Sequence, residues 1–143
     1  MKRAFIALAL VSALLAGCKS EPGDELVGKW TGVVQVTDED VDAAVRAGTA
    51  TPEIAAAARE FYGSLRPTLE LRDDRTYSMR MGTDASNGIW EIKDGRITLR
   101  LEGVDPEVGY VMSGVPAKDG KTITMNDRNG QQTSTTVFER DED

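Results

Sequence analysis

Between Pro67 and Leu101 the chain reads Thr68-Leu69-Glu70-Leu71-Arg72, then Thr76-Tyr77-Ser78-Met79-Arg80-Met81, then Gly88-Ile89-Trp90-Glu91-Ile92, then Arg96-Ile97-Thr98-Leu99-Arg100-Leu101. Apolar residues fall at every second place in all four runs, the period of a strand with one buried face. The breaks carry Asp73-Asp74, Asn87-Gly88 and Asp94-Gly95, residues that turns demand. An antiparallel meander with one buried face is therefore expected here, and the rest of the chain has to complete it.

Upstream, Leu26 to Val36 reads as a first strand, with Trp30, Gly32, Val34 and Val36 on one side. Helical grammar follows it. Thr37-x-x-Asp40 has the form of a capping box, Val41, Ala44 and Val45 share a face, and Gly48 supplies a stop, which predicts a helix over about 38–48. A second helix is expected over 51–63, with Thr51 as N-cap, Pro52 in the first turn, and Gly63 at the end. Its stripe of Ile54, Ala57, Ala58, Phe61 and Tyr62 is expected to face the sheet. Downstream, strands are expected over Val108 to Val115, Lys121 to Met125 after Asp119-Gly120, and Gln132 to Arg140 after Asn129-Gly130. The fold class is mainly β, a small antiparallel up-and-down barrel of about eight strands with a helix-turn-helix between strands one and two. Closure hides the edges of such a sheet.

The chain has 143 residues, one domain's worth. Lys2-Arg3 followed by an uncharged apolar run from Ala4 to Ala16 reads as a secretory signal, too short to span as an ordinary membrane helix. The closing Leu15-Ala16-Gly17-Cys18 resembles the lipobox of bacterial lipoproteins. That resemblance implies cleavage before Cys18, acylation of Cys18, and a lipid bilayer as partner through the acyl chains. Lys19 after it implies the outer membrane, on its periplasmic face, as the location in the cell envelope. The domain plan is 1–17 signal peptide, 18–25 lipidated tether and 26–143 barrel. Losing Lys2 and Arg3 with the signal leaves 15 of the 17 basic side chains against 24 acidic ones, a formal charge of −9. This balance argues against nucleic acid as a partner and leaves the acyl anchor as the membrane contact.

Gly28-Lys29-Trp30 at the head of the first strand, with Arg140 at the end of the last, is similar to the signature of the calycins, the superfamily of lipocalins and fatty-acid-binding proteins. The resemblance implies that Arg140 packs over Trp30. The paired helices before Pro67-Thr68 are similar to the helix-turn-helix lid of the fatty-acid-binding branch. That branch holds a carboxylate with an Arg-x-Tyr pair on its last strand, and the corresponding places here are Thr136 and Phe138. The strands are also fewer than that branch's ten.

Several chemistries are closed to the chain. It has no histidine and one cysteine, and the anchor takes that cysteine, which removes histidine triads, cysteine catalysis and the usual zinc sites. Asp38, Asp40 and Asp42 imitate an EF-hand start, but Ala43 stands at the glycine position and Thr49 where the bidentate acid belongs. Glu70, Glu91 and Glu102 alternate with core residues, so no inward acid pair is expected. No catalytic residue, metal ligand or cofactor site is assigned. Phe61, Tyr62, Met79, Met81 and Trp90 are the candidate lid or ligand-contacting residues, since thioethers and rings can line an adaptable apolar cavity. With so many large residues directed inward on short strands, the leading expectation is a filled barrel: a non-enzymatic, membrane-anchored binding or interaction domain with an envelope protein as partner. The alternative is a carrier or sensor of a small apolar ligand in the barrel, and a carboxylate-dependent hydrolase is the second alternative.

Overall fold

In the computed structural model, which describes residues 20–105, 111–127 and 134–142, eight antiparallel strands close into a barrel in sequence order. They are β1 (Gly28–Gln35), β2 (Thr68–Leu71), β3 (Thr76–Met81), β4 (Asp84–Lys93), β5 (Arg96–Leu101), β6 (Val111–Pro116), β7 (Thr122–Asp127) and β8 (Thr135–Arg140). Each strand pairs with the next, and β8 returns to β1 through the register Trp30↔Arg140 to Gln35↔Thr135. Two helices, α1 (Asp38–Arg46) and α2 (Pro52–Ser64), join β1 to β2. The expected fold class is the observed one.

The two ends of the barrel differ. At the end where β1, β3, β5 and β7 begin, a 3-10 turn, Asp24–Leu26, lies across the opening, and its Leu26 is 1% exposed. Trp30, Trp90, Leu71, Ile97, Ile123 and Phe138 are fully or almost fully buried in the core. The other end carries the helices, and there the inward-facing residues of β3 and β5, Met79, Met81 and Leu101, are only half-buried.

Three registered pairs set how the interior is filled. Gly32 faces Phe138, Gly88 faces Tyr77 and Gly114 faces Met125. A Cβ on Gly32 would come within 2.9 Å of the Phe138 ring, and one on Gly88 within 2.9 Å of the Tyr77 ring. One on Gly114 would collide with the Met125 sulfur and the Thr124 carbonyl. A large side chain thus lies flat across a glycine at three places around the wall, which close-packs a small barrel without lengthening its strands.

This pairing corrects the reading of Asn87-Gly88 as a turn. Both residues lie inside β4, at ten residues the longest strand, and the chain reverses instead at Gly82-Thr83. Gly88 is there because a Cβ would run into the Arg100 backbone carbonyl on β5 as well as the Tyr77 ring on β3. The first strand is likewise shorter than expected, because Leu26 belongs to the 3-10 turn. β7 and β8 begin later than expected, at Thr122 and Thr135, while the start of the strand expected from Val108, with Gly109 and the Asn129-Gly130 turn, lies outside the described residues.

The helices form where expected. In α1, Thr37 accepts from the Asp40 amide while the Asp40 carboxylate accepts from Thr37, a complete capping box. In α2, Thr51 caps the Ile54 amide and Pro52 occupies the first turn, but the helix runs through Gly63 to Ser64. The face of α2 needs correction. Ile54 is 61% exposed, Phe61 60% and Tyr62 45%, and Ala57 is exposed too; the buried residue is Ala55, with Ala58 half-buried beside it. α2 packs on β1 and α1. Small residues let a helix approach closely, so the alanine side is turned in and the bulky stripe is turned out.

Candidate functional site

The sealed end is built by two arginines on two tryptophans. The Arg140 guanidinium lies 4.6 Å from the centre of the Trp30 ring, and that of Arg75 4.4 Å from the centre of the Trp90 ring. Each indole N–H is satisfied by a carbonyl, Trp30 donating to Leu26 at 3.1 Å and Trp90 to Arg72 at 3.0 Å. The arginines also hold the segment before β1. Arg75 donates to Asp24 at 2.9 Å and Glu21 at 3.3 Å, and Arg140 donates to the carbonyls of Val27 and Glu25. Arg75 sits at φ 67°, a left-handed conformation uncommon outside glycine, which turns its side chain back over Trp90. Residues 21–27, most of which read as a free tether in the sequence, are thus bound to the base of the barrel. Cys18 itself lies outside the described residues.

The helix end is the candidate site. Its inner wall carries Val34, Met79, Met81, Ser86 and Leu101, with Met79 opposite Ser86 in the β3–β4 register. Below them, Thr136 is the one buried polar residue among those described, 1% exposed, and its hydroxyl oxygen has no hydrogen-bond partner. Burial raises the Tyr77 pKa above that of a free phenol, and the Ser86 side chain beside it opposes that shift. No lysine or arginine among the described residues is directed into this end of the barrel: Arg80 and Arg100 alternate outward with Met79, Met81, Leu99 and Leu101. At this end α2, packed on β1 and α1, leaves Ile54 and Phe61 exposed, with the Phe61 and Tyr62 rings edge to face at 5.5 Å.

Of the candidate residues, Met79, Met81, Phe61 and Tyr62 come to this end. Trp90 does not: it is buried at the sealed end, where Arg75 covers it. The reading of the sequence missed Thr136 as an unpaired hydroxyl, noting it only as the residue standing where a cation would be. No signal in the local sequence marks it, because its isolation depends on the neighbours β1 and β7 supply, Val34 and Met125.

The acids on the outer wall are paired locally. Glu70 meets Arg72 at 2.7 Å and Glu91 meets Arg100 at 2.8 Å. Among the described residues no group of acidic, histidine or cysteine side chains is placed to hold a metal ion. A hollow of about 640 Å³ lies outside the barrel, across β1 and β8, lined by Val33, Gln35, Arg66, Val137, Glu139 and Asp141 among others. It is open and rimmed by charge, which suits an apolar molecule poorly.

The fold defines the class, an eight-stranded up-and-down barrel with a helical pair between its first two strands. No protein-family model matches the chain, and neither does any curated protein. Among solved structures the chain is similar to Schistosoma mansoni fatty acid binding protein in complex with arachidonic acid, at 15% identity and TM-score 0.47, over 83% of this chain and 98% of that one. It is similar also to apo Caenorhabditis elegans lipid binding protein 8, at 12% identity and TM-score 0.44, over 82% and 96% of the two chains. A third is a fatty-acid-binding protein from brain tissue of Drosophila melanogaster, at 12% identity and TM-score 0.42, over 80% and 98%.

Proposed function

We propose that this chain is a non-enzymatic carrier or sensor of a small, neutral, apolar ligand, taken at the helix end of the barrel. The observation that carries this reading is the contrast between the ends. The base is sealed by Trp30, Trp90 and the 3-10 turn, while the opposite end leaves Met79, Met81 and Leu101 half-buried, at the end that carries α2 with Ile54 and Phe61 exposed. Methionine side chains can change rotamer to admit a guest at modest cost. The ligand would be neutral because no inward cation among the described residues could pair with a carboxylate there, whereas the Thr136 hydroxyl is available to one polar atom.

Anchoring completes the proposal: cleavage before Cys18, acylation of that cysteine, and residence at the cell envelope, on the periplasmic face of the outer membrane. Leu15-Ala16-Gly17-Cys18 after an apolar run supports it. Mass spectrometry of the protein from its native host tests this part, a mature chain beginning at acylated Cys18 being the expected product.

The ligand is tested by competition. A neutral apolar fluorophore bound at the helix end should be displaced by a long-chain alcohol at lower concentration than by the acid of equal length. Preference for the acid would contradict the neutral site.

A second reading keeps the barrel filled and places the useful surface outside, toward an envelope protein. The three glycine–large-residue pairs support it, since they leave the middle of the barrel close-packed. Failure of every apolar probe to bind would favour it.

A further inference from the structure

We propose that the sealed base of the barrel is the end that faces the anchoring membrane, so that the helix end points into the aqueous compartment and exchanges its ligand there rather than with its own bilayer. The proposal rests on Cys18 as the anchor.

Tether length fixes the orientation first. From Ser20 to Glu25 the sequence offers no periodic structure and would give a free reach of roughly 20 Å. The fold removes most of it. Glu21 and Asp24 are bound by Arg75, the Glu25 and Val27 carbonyls by Arg140, and Gly23 and Leu26 are buried. Only Lys19 and Ser20 separate Cys18 from the first clasped residue, a span of about 10 Å fully extended. The clasp is on the base of the barrel, because Arg75 follows β2 there and Arg140 ends β8 there. A linker so short cannot carry the domain over to present its other end.

Charge favours the same orientation. All four lysines among the described residues, Lys29, Lys93, Lys118 and Lys121, are exposed at the base, where β1 begins, β4 ends and β6 turns into β7. With Arg75, Arg96 and Arg140 they face Glu21, Asp24, Glu25, Asp73, Asp74, Asp94, Asp119, Asp141 and Glu142, seven basic against nine acidic side chains, so the base is close to balanced. At the other end α1 and α2 present Asp38, Glu39, Asp40, Asp42, Glu53 and Glu60 against Arg46 and Arg59, one of which is already paired with Asp38. An anionic membrane surface therefore repels the helix end more strongly than the base, in the same sense as the tether.

The chain's single cysteine makes a direct test possible without relying on natural acylation. The chain from Cys18 onward, which contains every element of the barrel, is coupled through that thiol to phosphatidylcholine vesicles carrying a small fraction of maleimide-headed lipid. Lysine reactivity toward a water-soluble active ester, and hydroxyl-radical oxidation of Phe61 and Tyr62, are then read residue by residue by mass spectrometry. Lys93, Lys118 and Lys121 should react several-fold more slowly than in the uncoupled chain, with Phe61 and Tyr62 unchanged. Unchanged lysines, or protection of Phe61 and Tyr62, would overturn the proposal. A twenty-residue Gly-Ser insertion after Lys19 should restore lysine reactivity; protection that survives it would overturn the clasp as the cause. Because the anchor is supplied chemically, failure here is distinct from a failure of Cys18 to be acylated in the cell.

Discussion

Arg140, the last residue of β8, stacks over Trp30 in β1 with its guanidinium 4.6 Å from the ring centre, and at the same time donates to the carbonyls of Glu25 and Val27. One side chain thus covers the core tryptophan and fastens the segment that closes the base. Trp30→Ala should cost about 3 to 5 kcal/mol, as for a fully buried aromatic. Arg140→Ala should cost about 1 to 3 kcal/mol, from the lost cation–π contact and two charge-assisted hydrogen bonds. Urea unfolding measures both, and a loss under about 0.5 kcal/mol, typical of a surface change, would show that neither residue holds the base.

The glycine pairs give a sharper test of packing. Gly32→Ala would meet only the side chains of Phe138 and Thr136, whereas Gly88→Ala would also run into the Arg100 carbonyl. Each should destabilise by about 1 to 3 kcal/mol or more, the usual range for overpacking. Phe138→Leu should recover part of the loss in Gly32→Ala, and Tyr77→Leu should recover little in Gly88→Ala. Double-mutant cycles report the two coupling energies, and equal coupling would contradict the difference in what lies opposite.

α2 separates stability from function. Ile54→Ser and Phe61→Ser change exposed residues, so unfolding free energy should move by no more than about 0.5 kcal/mol while apolar-ligand affinity falls. Ala55→Phe fills the packed face of α2 and should destabilise instead. Thermal denaturation beside a binding titration distinguishes the two.

The capping box gives a pH dependence with a definite sign. Bonds from the Thr37 hydroxyl and amide hold the Asp40 carboxyl below its ordinary value of 3.8. A depressed carboxylate contributes stability in full above that ordinary value and loses it as pH falls through the lowered one. Amide exchange in α1 should accelerate in that acid window, and Thr37→Ala should return the Asp40 titration, followed by NMR, toward 3.8. No change in Asp40 would contradict the cap.

Much of this was legible in the sequence because it depends on local pattern. Alternation from Thr68 to Leu101 demands strands, and Thr37 and Thr51 mark helix starts whatever surrounds them. The errors fall where a residue's meaning depends on a distant partner. Asn87-Gly88 has turn chemistry, but its place was decided by the two neighbouring strands, through the Arg100 carbonyl on one and Tyr77 on the other. α2 is apolar on two sides, and only contact with β1 and α1 selects the alanines. The clasp joins Arg75 to Asp24 and Arg140 to Glu25, pairs separated by 51 and 115 positions, which no window along the chain could reveal. At the site, Met79 and Met81 were legible as inward residues, while Thr136 became notable only when its neighbours were known to offer it no partner.

The central claim is that the helix end admits one small, neutral, apolar molecule, and the methyl groups of Met79, Met81 and Met125 report on it at different depths. With methionine methyls labelled by carbon-13, titration with a long-chain alcohol should shift Met79 and Met81 to a plateau at one ligand per chain, at micromolar concentration or an affinity of about 8 kcal/mol. Met125, buried against Gly114, should move least. Methyl resonances that stay fixed to millimolar ligand, with Trp30 and Trp90 emission equally unchanged, would contradict the carrier and leave the filled barrel as the account of this protein.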